Sequence, residues 1–318
     1  MEQLTDLKAI LHSKRANIYY LEKCRVMQKD GRVLYLTEAK EEYQYWNIPI
    51  ANTTCLLLGT GTSITQAAMR MLASAGVLVG FSGSGATPLI MGTEIEWLTP
   101  QSEYRPTDYI QGWMNFWFEE DKRLASAKRI QMARIGFIQK IWAKDKELKF
   151  AGFDVDDDRL KRLLEKALLD IEGAYNVNKL LTLEAELTKK LYAYSAQKTN
   201  LKNFKRDHDN PDETNSFLNH GNYLAYGLGA TTLWVLGISH GFALMHGKTR
   251  RGALVFDVAD LIKDAIVLPS AFICAKEGMN EKEFRYYVLQ KFIEHKALDF
   301  MFAEVKKASM YYGKVKLL

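Results

Sequence analysis

At 318 residues the chain is long enough to bury a sizeable core, and domain-size statistics favour two domains over one. Its 47% hydrophobic and 25% charged composition excludes a disordered or fibrous protein, and a net charge of +5 permits a polyanionic partner without requiring one. Cys24, Cys55 and Cys274 are too few and too far apart for a disulfide framework or a thiolate zinc site, which points to a reducing, cytoplasmic setting.

The opening "MEQLTDLKAILHSKRA" is amphipathic and charged, without the unbroken apolar run of a secretory signal. From about Ala16 to Thr37 the pattern predicts strands: "NIYYLEKCRVMQ", a turn at Lys29-Asp30-Gly31, then "RVLYLT", with Asp-Gly as the hairpin signal. "TCLLLG" predicts a third strand. The following "TGTSITQAAMRMLASAGVLVGFSGSG" reads as a turn, a helix capped by Thr62 or Ser63, and another buried strand. Gly59 and Gly61 sit as in a dinucleotide-binding turn, but Ile64 stands where the third glycine belongs, so tight-turn chemistry is the reading adopted. A small β-rich domain is therefore expected over 1–95, followed by a linker over 96–106 punctuated by Pro100 and Pro106.

Beyond the linker helical periodicity takes over, near 107–145, 157–170, 176–199, 216–246, 257–266 and 281–310. The expected fold class is α+β, a small N-terminal β-rich domain followed by a larger, mainly α-helical domain over 107–318. From Thr214 to Gly247 there is no Lys, Arg, Asp or Glu, yet Asn219, His220, Asn222 and His240 interrupt the stretch. A helix hairpin buried in protein fits better than a membrane span. "NFKRDHDNPDETN" is polar, broken by Pro211, and reads as an exposed loop.

Two stretches of the helical half carry chemistry. In "NKLLTLEAELTKKLYAYSAQ" the apolar stripe through Leu180, Leu187, Leu191 and Tyr194 includes Glu184, whereas Glu186 points the other way. A carboxylate on a buried seam must be paired, protonated or metal-bound, so Glu184 meets either an arginine such as Arg134 or a cation. In "LMHGKTRRGALVFDVADLIKD" a helix starting near Asp257 would bring Asp257, Asp260 and Asp264 within roughly 60° of one another about its axis. Asp257 as a cap and Asp260 as a dipole partner are the structural alternatives, with Asp264 nearer the surface. Clustered acids need positive charge among them, supplied by the turn Lys248, Arg250 and Arg251 or by a metal ion, with His246 a candidate ligand. Carboxylate and imidazole donors without thiolate suit Mg²⁺ or Mn²⁺ better than structural zinc.

"LEAELTKKLY", "FLNHGNYLAYG", "GFALMHG" and "LVFDVADLIKD", in that order, resemble the signature of the CRISPR-associated integrase family Cas-one. The front-half passage "IPIANTTCLLLGTGTSITQAAMRMLASAGVLVGFSGSG" is similar to that family's route from β-domain to helical domain. The length and style of the helical domain resemble the subtype I-F branch. The resemblance implies a homodimeric, metal-dependent DNA endonuclease and integrase, whose N-terminal domain dimerises. Such a protein joins the 3′-hydroxyl ends of double-stranded fragments to a CRISPR repeat by transesterification and also cuts branched DNA. Its implied partner is Cas-two, in this branch fused to the Cas-three helicase-nuclease. The family's metal ligands carry over onto Glu184, His246 and Asp260, and its further required aspartate onto Asp257. Ala185 stands where the family often has glycine, and the helical-face argument selects Glu184 over Glu186. Lys248, Arg250 and Arg251 would then grip phosphates, with Lys202, Lys205 and Arg206 of the polar loop as weaker contacts. A nuclease without integration and a non-catalytic DNA-binding scaffold are the rival readings.

Overall fold

The computed structural model describes residues 17–39, 42–83, 96–98, 107–201, 204–207, 212–247 and 252–312. The chain divides into two compact units, Met1–Arg105 and Pro106–Leu318.

The first unit holds β1 (Asn17–Leu21), β2 (Cys24–Lys29), β3 (Arg32–Ala39), β4 (Glu42–Ile48), β5 (Thr53–Leu58), β6 (Ser63–Ile64), α1 (Gln66–Ser74), β7 (Leu78–Phe81) and β8 (Glu96–Leu98). They form two four-stranded sheets, ordered β1-β5-β7-β8 and β4-β3-β2-β6. The expected strand "NIYYLEKCRVMQ" is in fact two. Lys23, at φ 48°, breaks the run, so β1 pairs in parallel with β5 while β2 pairs antiparallel with β3. Asp30 and Gly31 both take positive φ, the requirement of the tight hairpin that their sequence signals. β4, "EYQYWNI", carries no such signal; it pairs with β3 from Val33↔Ile48 to Ala39↔Glu42. β8 lies in the stretch read as linker and pairs antiparallel with β7.

The cap of α1 is Thr65, whose side chain accepts from the Ala68 N–H at 3.3 Å, and not Thr62 or Ser63. Thr62 instead donates its hydroxyl to the Leu21 carbonyl, and Ser63 belongs to β6. A β-carbon at Gly59 would lie 2.4 Å from the Tyr20 hydroxyl oxygen, and Gly61 sits at φ 72°. Both glycines serve close packing and a turn. Val26, Val33, Ile48, Leu56, Leu58, Leu72 and Val79 fill the core of this unit.

The second unit holds α2 (Asp108–Trp117), α3 (Glu120–Lys144), α4 (Lys146–Phe150), α5 (Asp158–Glu172), α6 (Val177–Lys198), α7 (Glu213–Leu236), α8 (Ala253–Ile262), a π-helical turn (Lys263–Val267), α9 (Leu268–Lys276), α10 (Glu281–Glu294) and α11 (Ala297–Tyr311). The fold class is α+β, a small strand-rich unit followed by a larger helical one. α7 packs on α8, the π turn and α9, and its small residues permit the close approach. A β-carbon at Gly221 would meet Val267 at 2.4 Å, and one at Gly229 would meet the Val255 carbonyl at 3.0 Å. The charge-free run is thus a packing face. Among the described residues no helix is long and apolar enough to cross a membrane.

Helix boundaries depart from the sequence reading where backbone chemistry overrides periodicity. The helix expected to reach 246 stops at Leu236, because Gly237 turns left-handed at φ 69° and ends it. His246 therefore lies on an irregular segment, not at a helix end. α8 begins at Ala253, so Asp257 is inside the helix and does not cap it.

Candidate functional site

Asp257 organises the segment that carries His246. Its carboxylate accepts the backbone N–H groups of Leu244 at 2.6 Å, Met245 at 3.2 Å and His246 at 3.2 Å, and meets the imidazole Nδ1 of His246 at 2.7 Å. Three converging amides offset the burial of this carboxylate, which is 2% exposed. From the other side, the indole N–H groups of Trp113 and Trp117 on α2 donate to the carbonyls of Phe242 and Ala243 at 3.1 and 2.7 Å. The irregular segment is pinned through both its amides and its carbonyls. A carboxylate at Nδ1 keeps a proton on that nitrogen and leaves Nε2 of the neutral ring as the lone-pair donor. Burial pushes the His246 pKa down, but the hydrogen bond to Asp257 and the negative charges of Asp260 and Asp257 more than compensate, so it rises above the ordinary histidine value.

Asp260 lies one turn on from Asp257 and is buried. The Lys263 ammonium is 2.5 Å from its Oδ1, and Oδ2 accepts no hydrogen bond among the described residues. Burial pushes the Asp260 carboxyl up, but Lys263, Arg134 and His246 outweigh it and hold the group below its ordinary range. Asp264, expected near the surface, is buried. The π-helical turn brings it against Arg134, whose Nε donates to Asp264 Oδ2 at 2.7 Å and whose Nη2 makes a second, shorter bond.

Arg134, on the middle of α3, is the hub of the cluster. Its guanidinium also donates to Gln131 at 3.0 Å, to Glu184 Oε1 at 3.1 Å and to Thr188 at 2.7 Å. Burial would lower its pKa; the charges of Asp264, Glu184 and Asp260 overcome that and raise it. Glu184, with its side chain 18% exposed, is therefore paired with Arg134, one of the two fates that a seam carboxylate has. Glu184, Thr188, Tyr192, Lys263 and Asp264 share one small cleft with Arg134.

Among the described residues, the permanent cations at ion-pair distance from the four carboxylates of Glu184, Asp257, Asp260 and Asp264 are two, Arg134 and Lys263. The ligand atoms of Glu184, His246 and Asp260 do not fall within 4.8 Å of one another. Among the described residues, that closeness belongs to Asp145, Glu294 and His295. The latter group already holds a cation. The Lys291 ammonium lies 2.8 Å from Asp145, 2.8 Å from Glu147 and 3.3 Å from Glu294, while Asp145 also accepts from His295 and caps α4. It reads as an ion-pair network joining α4 to α10. No sequence signal marks it, because Asp145 and His295 stand 150 positions apart. Sequence reasoning passes over Lys263 as well, since a lysine near a helix end looks like ordinary surface charge.

Of the expected phosphate contacts, Lys202, Lys248, Arg250 and Arg251 lie outside the described residues. Lys205 is exposed, and its carbonyl accepts from the Asn215 side chain. The Arg206 guanidinium is engaged within its own loop and α7, on the Asp207 carbonyl, Asn215 and Asn219.

A strand-rich unit ahead of a helical unit that collects these acids and a histidine defines an α+β protein with a buried acidic centre. Residues 18–306 match the family described as CRISPR associated protein Cas1, and the chain belongs to that family. It is 55% identical over 308 residues to a CRISPR-associated endonuclease Cas1 of Pseudomonas aeruginosa strain UCBPP-PA14, covering 95% of each chain. It is 50% identical over 317 residues to another from Pectobacterium atrosepticum, covering 98% of this chain and 97% of that one. Among solved structures it is similar in fold to a casposase bound to an integration product, with TM-score 0.71 and 13% identity over 95% of this chain and 92% of that one.

Proposed function

We propose that the protein is a divalent-metal-dependent DNA endonuclease and integrase of CRISPR adaptation, of the subtype I-F branch. In this reading Glu184, His246 and Asp260 hold Mg²⁺ or Mn²⁺, and Asp257 orients His246. The observation that carries it is the pairing of an Asp257-anchored imidazole, with Nε2 as its lone-pair donor, with a neighbouring buried Asp260 oxygen that has no hydrogen-bond donor. The donor set fits the ion in kind as well, because among the described residues the permanent cations at ion-pair distance from the four carboxylates are two, Arg134 and Lys263. Membership of the family and close similarity to two CRISPR-associated endonucleases support the activity.

The reaction proposed is in-line attack of a DNA 3′-hydroxyl on a phosphodiester, with hydrolysis as the variant in which water attacks. A bound divalent ion would supply Lewis acidity to the phosphoryl oxygens and charge stabilisation to the departing 3′-oxygen. The chain's own residues supply the rest. Asp257 keeps the His246 ring oriented and its Nδ1 proton in place. Arg134 holds Glu184 and Asp264 on one guanidinium and offsets their repulsion. Lys202, Lys205, Lys248, Arg250 and Arg251 are proposed to grip phosphates, with Arg206 a lesser contact because its guanidinium already serves its loop. A homodimer formed through the strand-rich unit, Cas-two fused to Cas-three as partner, and a cytoplasmic setting belong to the same proposal.

The test is a strand-transfer assay with labelled oligonucleotides carrying 3′ ends and a repeat target, with and without Mn²⁺. Joining that requires Mn²⁺ and is lost in Glu184→Ala supports the proposal. Products that are cut but never joined favour a nuclease alone. An inert wild type, with Glu184 serving only Arg134, favours a scaffold.

A further inference from the structure

The ion pair between Lys263 and Asp260 bears on how the acidic centre would take up a cation, an inference that rests on the metal site proposed for Glu184, His246 and Asp260. Lys263 opens the π-helical turn, a widened turn that is rare within helices and concentrated at functional sites. Its ammonium contacts Asp260 Oδ1 at 2.5 Å and lies over the Tyr226 ring at 5.4 Å from the centroid. Arg134, the other permanent cation, is already committed to Asp264, Glu184, Gln131 and Thr188. At contact distance, then, Lys263 alone among the described residues neutralises the Asp260 carboxylate.

We propose that Lys263 is a built-in counter-ion that a divalent cation must displace from Asp260, and that the displaced ammonium is then taken up by a DNA phosphate. A divalent ion on the free Oδ2 would stand within a few ångströms of the ammonium on Oδ1, and two cations that close repel each other, so the ion and Lys263 compete for Asp260. The lysine is tethered three residues away and stays within its side-chain length of the centre. Left without a carboxylate, it needs another anion, and a backbone phosphate is the anion that this site is proposed to receive. The ion and DNA therefore favour each other's binding, by the reciprocity that any such coupling obeys. Without the ion Asp260 stays paired with Lys263, and the ion binds weakly until phosphate arrives.

The experiment is a titration of the full-length protein with Mn²⁺ alone, followed by electron paramagnetic resonance, and repeated with a duplex oligonucleotide bearing 3′ overhangs. Lys263→Met and Lys263→Gln are expected to bind Mn²⁺ alone at least tenfold more tightly than wild type. In wild type the oligonucleotide should tighten Mn²⁺ binding, and in both variants that tightening should shrink severalfold. Mn²⁺ binding that is unchanged or weaker in Lys263→Met and Lys263→Gln overturns the inference. So does wild-type binding that is indifferent to DNA, a readout that needs no variant to fold. Asp260→Asn separates the counter-ion role from the metal site itself. If that single change does not weaken Mn²⁺ binding, the metal site fails; if it does and Lys263→Met still binds no more tightly, only the counter-ion role fails.

Discussion

Replacing Asp257 by asparagine puts an NH₂ group where the structure offers only hydrogen-bond donors. The native carboxylate faces three backbone amides and the Nδ1–H of His246. Whichever way the asparagine amide turns, its NH₂ meets a donor. With the carbonyl kept on the Leu244 and Met245 amides, the NH₂ faces His246, so the ring must accept at Nδ1 and carry its proton on Nε2. The nitrogen proposed as the ligand is then blocked. Loss of such an outer partner typically lowers metal affinity by about 10–100-fold. The charge-assisted bonds lost would cost about 1.5–3 kcal/mol of stability. Mn²⁺ titration calorimetry reads the first effect and urea unfolding the second. Strand transfer should fall at limiting Mn²⁺ and recover in part at saturating Mn²⁺. An Asp257→Asn protein that is less stable but binds Mn²⁺ like wild type would refute the reasoning, because Asp257 would then be structural only.

Three further outcomes are expected from the buried charges and the buried thiol. Arg134→Met strands Asp264 and Glu184, and breaking a buried pair by removing one partner costs about 3–5 kcal/mol; adding Asp264→Asn should restore part of it, and a purely additive double mutant by urea unfolding would contradict the pairing. Burial raises the Asp145 carboxyl, but His295, Lys291 and the Leu148 amide outweigh it and hold it well below the ordinary aspartate range. A depressed folded-state pKa contributes stability above the unfolded value of about 4 that is lost as pH falls below it. Asp145→Asn should therefore flatten the acid limb of a stability-versus-pH curve, and an unchanged limb would exclude the network as its source. Burial pushes the Cys274 thiol up to about 12, so it should resist alkylation at pH 8 until the helical unit unfolds, as mass spectrometry would register.

The legible parts of this molecule are those that short-range chemistry fixes. Asp30-Gly31 announces the hairpin because both positions need positive φ. Glu184 announces itself by interrupting an apolar seam, and it does lie against charge, in the arm of Arg134 that the seam argument offers as an alternative to a cation. Periodicity fails where backbone geometry changes without a change of pattern. Gly237 ends α7 ten residues early, inside a stretch that remains apolar, and so moves His246 off a helix and onto a pinned segment. The π-helical turn shifts Asp264 from an expected surface position into the core and sets Lys263 against Asp260. A single inserted residue per turn leaves no repeat for a sequence to display. β4 escapes a sequence reading because its residues come after the hairpin without a new turn signal of Gly or Pro.

The most direct measurement is anomalous diffraction from crystals soaked in Mn²⁺. One strong peak is expected in contact with Glu184, His246 Nε2 and Asp260, with the Lys263 ammonium moved away from the Asp260 carboxylate. A peak only at Asp145, Glu294 and His295, or a Lys263–Asp260 contact that persists at saturating Mn²⁺ with no peak beside it, would contradict the proposed centre.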